Sequence, residues 1–309
     1  MDILVSGSMA YDRIMDFDGK FSDHLLAEQL HMINVSFTVN SLTENFGGTA
    51  GNIAYSLSLL GEKPRILATI GQDYHRYFEW LNKIGVPTQD IRVVEEELTA
   101  GAYITTDTES NQITGFNPGA MKQQSGFVFD SIDPKECLAI VAPGNLGDMA
   151  DYTAEHQKRG IFSIFDPGQS LPAWQPDALA KCISQSNMLV CNDYEMEMIS
   201  NSTGMSRDEV AKTVETIVVT KGGDGCDLVT TSGTVEIPPV PTSDAVDPTG
   251  AGDAFRGGLI KGIVAGLPME RAVQMGNVAG HYAVRIQGTQ QHSFTLNEFN
   301  ATLEQHFGS

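Results

Sequence analysis

Asp247-Pro-Thr-Gly-Ala-Gly-Asp253 joins a turn, three small residues and a carboxylate at the head of an apolar helix. The first N–H groups of a helix lack intrahelical partners and carry a partial positive charge. Glycine lets an anion approach them closely. A carboxylate beside such an anion hole can take the proton of a hydroxyl that attacks a phosphate. The segment therefore points to phosphoryl transfer, with Asp253 as general base and Gly250, Ala251 and Gly252 as the anion hole. The plainer reading of Asp253 is a carboxylate that complements the helix dipole.

Other polar residues stand where strands should end. Gly47-Gly48-Thr-Ala-Gly51-Asn52 opens a second helix, with Ile53, Leu57 and Leu60 as its apolar stripe and Gly61 as its stop. Asn52 falls on the first turn, where its amide can both donate to and accept from vicinal hydroxyls; close helix packing through Gly and Ala is the alternative. Asp12, expected at the exit of the first strand, is either a turn residue or an acceptor for a diol. Asn192-Asp-Tyr-Glu195 spells a capping box. It could also organise a hydrated Mg²⁺ and nucleotide phosphates, because Mg²⁺ needs few protein ligands. Thr220-Lys221-Gly222-Gly-Asp-Gly225 is a glycine-rich hairpin turn, either exposed to solvent or serving as a backbone wall along a nucleotide. The chain has no G-x-x-x-x-G-K-[ST] loop, no full G-x-G-x-x-G, no H-E-x-x-H and no G-x-S-x-G.

These residues need strands and helices to hold them. Ile3–Gly7, Leu138–Gly144, Phe162–Asp166, Met188–Asn192 and Ile217–Thr220 are short apolar runs separated by helical patterns. That alternation predicts an α/β protein with a mostly parallel sheet and ligands at the carboxyl ends of its strands. Two regions break the pattern. His31–Val39 alternates like a strand, and Ala102–Thr106 with Gln112–Phe116 flanks a polar turn like a hairpin. A small β-lid, formed by about 12–46 and 98–120 within one domain spanning 1–309, accounts for both; edge strands of a single sheet are the alternative.

Composition narrows the partners. The 309 residues carry a formal net charge of −20, and 41% of them are hydrophobic. Such a charge repels nucleic-acid polymers and anionic membranes. Cys137, Cys182, Cys191 and Cys226 show no C-x-x-C pairing and read as free thiols of a reducing compartment. With no basic N-terminal region and no long apolar run, the expected location is the cytoplasm.

The order of these motifs resembles the ribokinase-like (PfkB) family of sugar and nucleoside kinases, from Ile3 to about Gly288. The resemblance implies a three-layer α/β/α sandwich with a β-lid, and transfer of the γ-phosphate of ATP to a hydroxymethyl group. By the same likeness Asp253 is the base, and Asp12, Gly48 and Asn52 bind sugar hydroxyls. Asn192 and Glu195 serve phosphate and Mg²⁺, while Thr220, Lys221, Gly222, Gly225 and Asn277 border the nucleotide. Asp247, Thr249, Ala283, Ile286 and Gly288 fall where some members hold a monovalent cation such as K⁺. Asn111–Phe116 and Phe165–Pro172 resemble archaeal-type nucleoside kinases and bacterial adenosine kinase-like proteins, which favours a nucleoside 5′-hydroxyl as acceptor. Phe37, Phe46 and Phe116 would then either enclose a base or pack the lid, with Gln112 and Gln169 as further contacts. A sugar kinase of the same family and a non-catalytic ligand-binding protein are the competing expectations. A homodimer paired through the lid and a monomer both fit the sequence.

Overall fold

Continuous apolar runs become buried strands, as their lack of alternation requires. The computed structural model describes residues 1–24, 35–109 and 111–308. Among these, the strands are β1 (Asp2–Ser6), β2 (Ala10–Asp16), β3 (Ser41–Gly47), β4 (Arg65–Leu67), β5 (Thr69–Gly71), β6 (Arg92–Val94), β7 (Ala100–Thr106), β8 (Gln112–Asn117), β9 (Cys137–Val141), β10 (Phe162–Phe165), β11 (Met188–Asn192), β12 (Thr216–Thr220), β13 (Cys226–Thr230) and β14 (Gly233–Ile237). The helices are α1 (Thr49–Leu59), α2 (His75–Lys83), α3 (Leu146–Arg159), α4 (Pro176–Ser184), α5 (Asp193–Thr203), α6 (Arg207–Val210), α7 (Ala251–Val264), α8 (Met269–Ala283) and α9 (Leu296–Phe307).

The main sheet has the order β14-β13-β12-β11-β10-β9-β1-β4. It is parallel from β4 to β12 and antiparallel at β13 and β14. Alternate residues of each strand enter different cores. Ile3, Val5, Ile140 and Val190 join Ile53, Leu57 and Leu259 of α1 and α7 on one face. Leu4, Val141, Leu189 and Val219 join residues of α3, α4 and α5 on the other. The result is a three-layer α/β/α sandwich, as expected. No helix among the described residues is long and apolar enough to cross a membrane.

Helices α1, α7 and α8 bring the site together, and glycine makes their approach close enough. A Cβ on Gly257 would lie 2.7 Å from Ser56 Cβ of α1, and one on Gly258 would collide with the Met275 carbonyl of α8. Gly262 likewise faces α8, where a Cβ would lie 2.5 Å from Ala272 Cα. The stripe Ile53, Leu57 and Leu60 is buried, and Gly61 stops α1 at a φ of 82°.

A second sheet of order β3-β2-β7-β8 stands apart from the first. Its β7–β8 hairpin is the one read from the sequence, with Thr106 paired to Gln112 across a turn held by Asp107. The strand expected at His31–Val39 is corrected. Residues 31–34 lie outside the described residues, and Val35–Val39 forms no strand. The strand at this edge is β3, which pairs antiparallel with β2. Within Val35–Val39, Phe37 packs against aromatic rings instead: its ring sits 4.7 Å from Phe17 and 5.5 Å from Phe21. Asp12 is likewise not at a strand exit but inside β2, opposite Asn45 and Ala102.

Candidate active site

Two clefts meet at the first turn of α7. One, of about 640 Å³, is lined by Asp12, Gly48, Asn52, Phe116, Gln169 and Asp253. The other, of about 510 Å³, is lined by Thr220, Gly222, Gly225 and Asn277 together with Ala251 and Gly252. Consecutive residues of one turn thus face opposite sides: Thr249, Gly250 and Asp253 border the first cleft, and Asp247, Ala251 and Gly252 border the second.

Local chemistry fixes this turn. Asp247 accepts from the Thr249 N–H at 2.9 Å and from the Gly288 N–H at 2.8 Å. Burial would raise the Asp247 carboxyl, but hydrogen bonds from Thr249 and Gly288 outweigh it and hold it below the usual carboxylate range. Gly250 begins the helix at a φ of 76°, the left-handed region that favours glycine, and no side chain caps it. The Ala251 N–H bonds to the Pro248 carbonyl at 3.1 Å. The first-turn N–H groups that follow are free for an anion.

Asp253 Oδ2 accepts a hydrogen bond of 2.8 Å from the Asn52 amide nitrogen. Burial pushes the Asp253 carboxyl up to about 7, against the Asn52 hydrogen bond and the Arg256 charge, which lower it; Asp166 and Asp12 raise it further. A base in that range can both take and release a proton near neutrality. Asp12 is raised by burial, with its Oδ2 3.4 Å from the Thr289 hydroxyl. Gly48 is required at its position: its φ is 86°, and a Cβ would lie 2.6 Å from the Ser8 carbonyl oxygen.

Behind the turn lies a buried ion pair. Arg256 donates to Asp166 at 2.6 and 3.0 Å, and also to the Gly252 carbonyl at 3.0 Å. Glu195 faces this pair. Its carboxyl is raised by burial and by Asp166, while the hydrogen bond from Asn192 and the charge of Arg256 lower it. Asn192 and Glu195 form the capping box that their spacing spelled, with bonds of 2.7 and 2.8 Å. Neither residue lines the two clefts. Among the described residues no group of three or more His, Cys, Asp or Glu side chains is placed to hold a metal.

On the second cleft, Asn277 donates to the Pro238 carbonyl at 2.9 Å and accepts from the Cys226 thiol at 3.5 Å. The Lys221 amine is drawn away to Asp227 at 2.7 Å, so its side chain does not line the cleft. Gln112 also lies away from both clefts. It caps the far end of the hairpin and donates to the Thr106 hydroxyl at 3.3 Å. Sequence reasoning missed Thr289, His281 and Gln290. Thr289 and His281 line the clefts; Gln290 lies behind Asn52. None of these belongs to a local motif.

An α/β/α sandwich with a carboxylate and an uncapped glycine turn set between two clefts defines a phosphotransferase with an alcohol acceptor. The chain belongs to the pfkB family of carbohydrate kinases, whose model matches residues 3–295. It is 30% identical over 278 residues to a nucleoside kinase of Methanocaldococcus jannaschii, covering 88% of this chain and 90% of that one. The structure of a Burkholderia thailandensis nucleoside kinase in complex with inosine is similar, with a TM-score of 0.87, 39% identity, and coverage of 99% of this chain and 98% of that one. The same kinase in complex with ADP-inosine matches with a TM-score of 0.85, 40% identity, and coverage of 99% and 96%.

Proposed function

We propose that this enzyme transfers the γ-phosphoryl group of ATP to the 5′-hydroxyl of a nucleoside. The observation that carries this reading is the placement of Asp253 and the first turn of α7 as the shared wall of two clefts. The acceptor occupies the cleft of Asp12, Asn52 and Phe116, and the nucleotide occupies the cleft of Thr220, Gly222, Gly225 and Asn277. A cleft of about 640 Å³ holds more than a pentose, which supports an acceptor carrying a base. The relatives described as nucleoside kinases support it as well.

The chemistry follows from the residues. Asp12 accepts hydrogen bonds from the ribose diol, and the second N–H of the Asn52 amide donates to it. Phe116, 53% exposed over the cleft, offers a face to the base, with Gln169 at the rim. Asp253 takes the 5′-hydroxyl proton. The N–H groups at Gly250 and Gly252 hold charge that spreads over the transferring group, with Ala251, whose own N–H bonds to the Pro248 carbonyl, between them. The glycine-lined second cleft suits a nucleotide, because Gly222 and Gly225 leave its wall free of side chains. Glu195 would hold Mg²⁺ through water, and that ion would neutralise the phosphates. Backbone oxygens around Asp247, Thr249, Ala283, Ile286 and Gly288 would hold a monovalent cation such as K⁺.

The β3-β2-β7-β8 sheet is the lid, covering about 12–46 and 98–120, and its closure over the acceptor would exclude water. It exposes Leu42, Tyr103 and Ile113, the surface through which two copies would pair. Four free, buried cysteines support a reducing, cytoplasmic setting. The test is ADP release from ATP with Mg²⁺ against a panel of nucleosides and free sugars. Turnover with nucleosides is expected; turnover with sugars alone would replace the acceptor, and no turnover would leave a binding protein.

A further inference from the structure

A chain of directed hydrogen bonds ends on Asp253. Trp80 of α2 donates its indole N–H to Gln290 Oε1 at 2.8 Å. An indole N–H can only donate, so the Gln290 atom facing it must be the oxygen. The Gln290 amide nitrogen then faces the other way. It donates to Asn52 Oδ1 at 3.0 Å and to the Tyr77 hydroxyl at 2.8 Å. Tyr77 passes its own proton to the Gly47 carbonyl at 2.8 Å. With its oxygen thus occupied, Asn52 must turn its nitrogen toward Asp253. The indole, which can only donate, and the Tyr77 hydroxyl, which gives its own proton to Gly47, together orient two amides in series.

Gln290 is held at some cost. It is 2% exposed, and its φ of 56° is the one positive value at a non-glycine residue among the described residues. Such a conformation is disfavoured for a residue with a side chain and persists only where the surroundings impose it. Here three side-chain hydrogen bonds impose it.

We infer that Gln290, oriented by Trp80, is a positioning residue of the transfer reaction: it fixes the Asn52 amide so that an N–H, not a carbonyl, meets Asp253. The inference rests on the proposal that Asp253 is the base. An N–H favours the ionised carboxylate, whereas a carbonyl in the same place is compatible only with the protonated acid. The charged and titratable groups that face Asp253 are Arg256 of its own helix, Asp166 at the end of β10, Asp12 of β2 and the Tyr77 phenol of α2. Gln290→Met removes a hydrogen bond from Tyr77 and leaves the other three untouched, and Trp80→Phe removes no contact of any of the four.

The test uses the pH profile of kcat/KM for a nucleoside, measured on Gln290→Met and on Trp80→Phe. The second variant keeps the Gln290 side chain and is the milder of the two should the first fold poorly. In Gln290→Met, Asn52 is free to reverse, and the acidic limb is expected to move up by about half to one pH unit; in Trp80→Phe, where Tyr77 still accepts from Gln290, a smaller move in the same direction is expected. KM for the nucleoside well above that limb should rise by no more than about fivefold, the worth of the one hydrogen bond from Asn52 to the diol, since Asp12 and Phe116 are untouched. An unmoved acidic limb in both variants, or a change in KM alone, overturns the inference while the kinase reading stands. Wild-type turnover that survives Asp253→Asn would overturn the base assignment and the inference with it.

Discussion

The Arg256 guanidinium and the Asp166 carboxylate are joined by two hydrogen bonds, of 2.6 and 3.0 Å, with 7% and 3% of their side chains exposed. Arg256 also holds the Gly252 carbonyl at 3.0 Å. The pair is thus a rigid backing for the turn that would receive the phosphoryl group. Arg256→Met should leave Asp166 and Glu195 facing each other without a cation. Breaking a buried pair in this way costs about 3–5 kcal/mol. A large fall in melting temperature is expected, and the double variant Arg256→Met/Asp166→Leu should recover much of it. A single variant as stable as wild type would show that the pair carries no such weight.

Asp253 gives a prediction with two readouts. Asp253→Asn should lower kcat by about 10²–10⁴-fold, the usual contribution of a general base. The same change should stabilise the fold at neutral pH. The Asp253 carboxyl is raised to about 7, so the folded state keeps a proton that the unfolded chain has released. The cost of ionising it in place therefore grows as pH rises from the ordinary carboxylate range to about 7, and is constant above. The melting-temperature gain of Asp253→Asn should be small near pH 4 and largest above pH 7, which thermal scans across that range would read.

Phe116 tests the acceptor site. It lines the cleft while remaining 53% exposed, so it contributes little to the core. Phe116→Ala should raise KM for the nucleoside by about tenfold, near the 1.5 kcal/mol upper worth of an aromatic contact. KM for ATP and the melting temperature should hardly move. An unchanged acceptor KM would mean that the base lies elsewhere.

His156 marks a weak point in α3. It is 1% exposed, and neither ring nitrogen has a hydrogen-bond partner among the described residues. Burial depresses the imidazole to about 4. The unfolded chain takes up a proton as pH falls through the ordinary histidine range, and the folded state does not, so stability is lost from there down to about pH 4. His156→Leu removes the unsatisfied nitrogens and the linkage together. It should raise the melting temperature, and by more at pH 5 than at pH 8, as calorimetry at the two values would show.

Local features were legible and distant ones were not. The anion-hole turn and the stripe of α1 could be read because a helix start and its period are written in neighbouring residues. The parallel strands were legible because burial on both faces demands continuous apolar runs. The run His31–Val39 misled because, in its described part, Phe37 packs in an aromatic cluster and not in a sheet, whereas β3, with Thr43, Glu44 and Asn45 in its middle, draws its order from pairing with β2. Gln112 misled because hairpin register, set by the turn at Asp107, carries it to the end remote from the clefts. Nothing near Gln290 announced it, since each of its side-chain partners comes from α1 or α2.

The Asn52–Asp253 hydrogen bond joins residues 201 positions apart, and the Gln290–Asn52 bond spans 238. Contacts of that separation form only after most of the chain has closed on itself. A polypeptide still emerging from the ribosome, with the stretch around Gln290 held in the exit tunnel, has its glycine turn and its Asp253 but no amide fixed against them. The order of synthesis thus separates the parts of one site: its turn and carboxylate are made well before the glutamine that orients the amide between them.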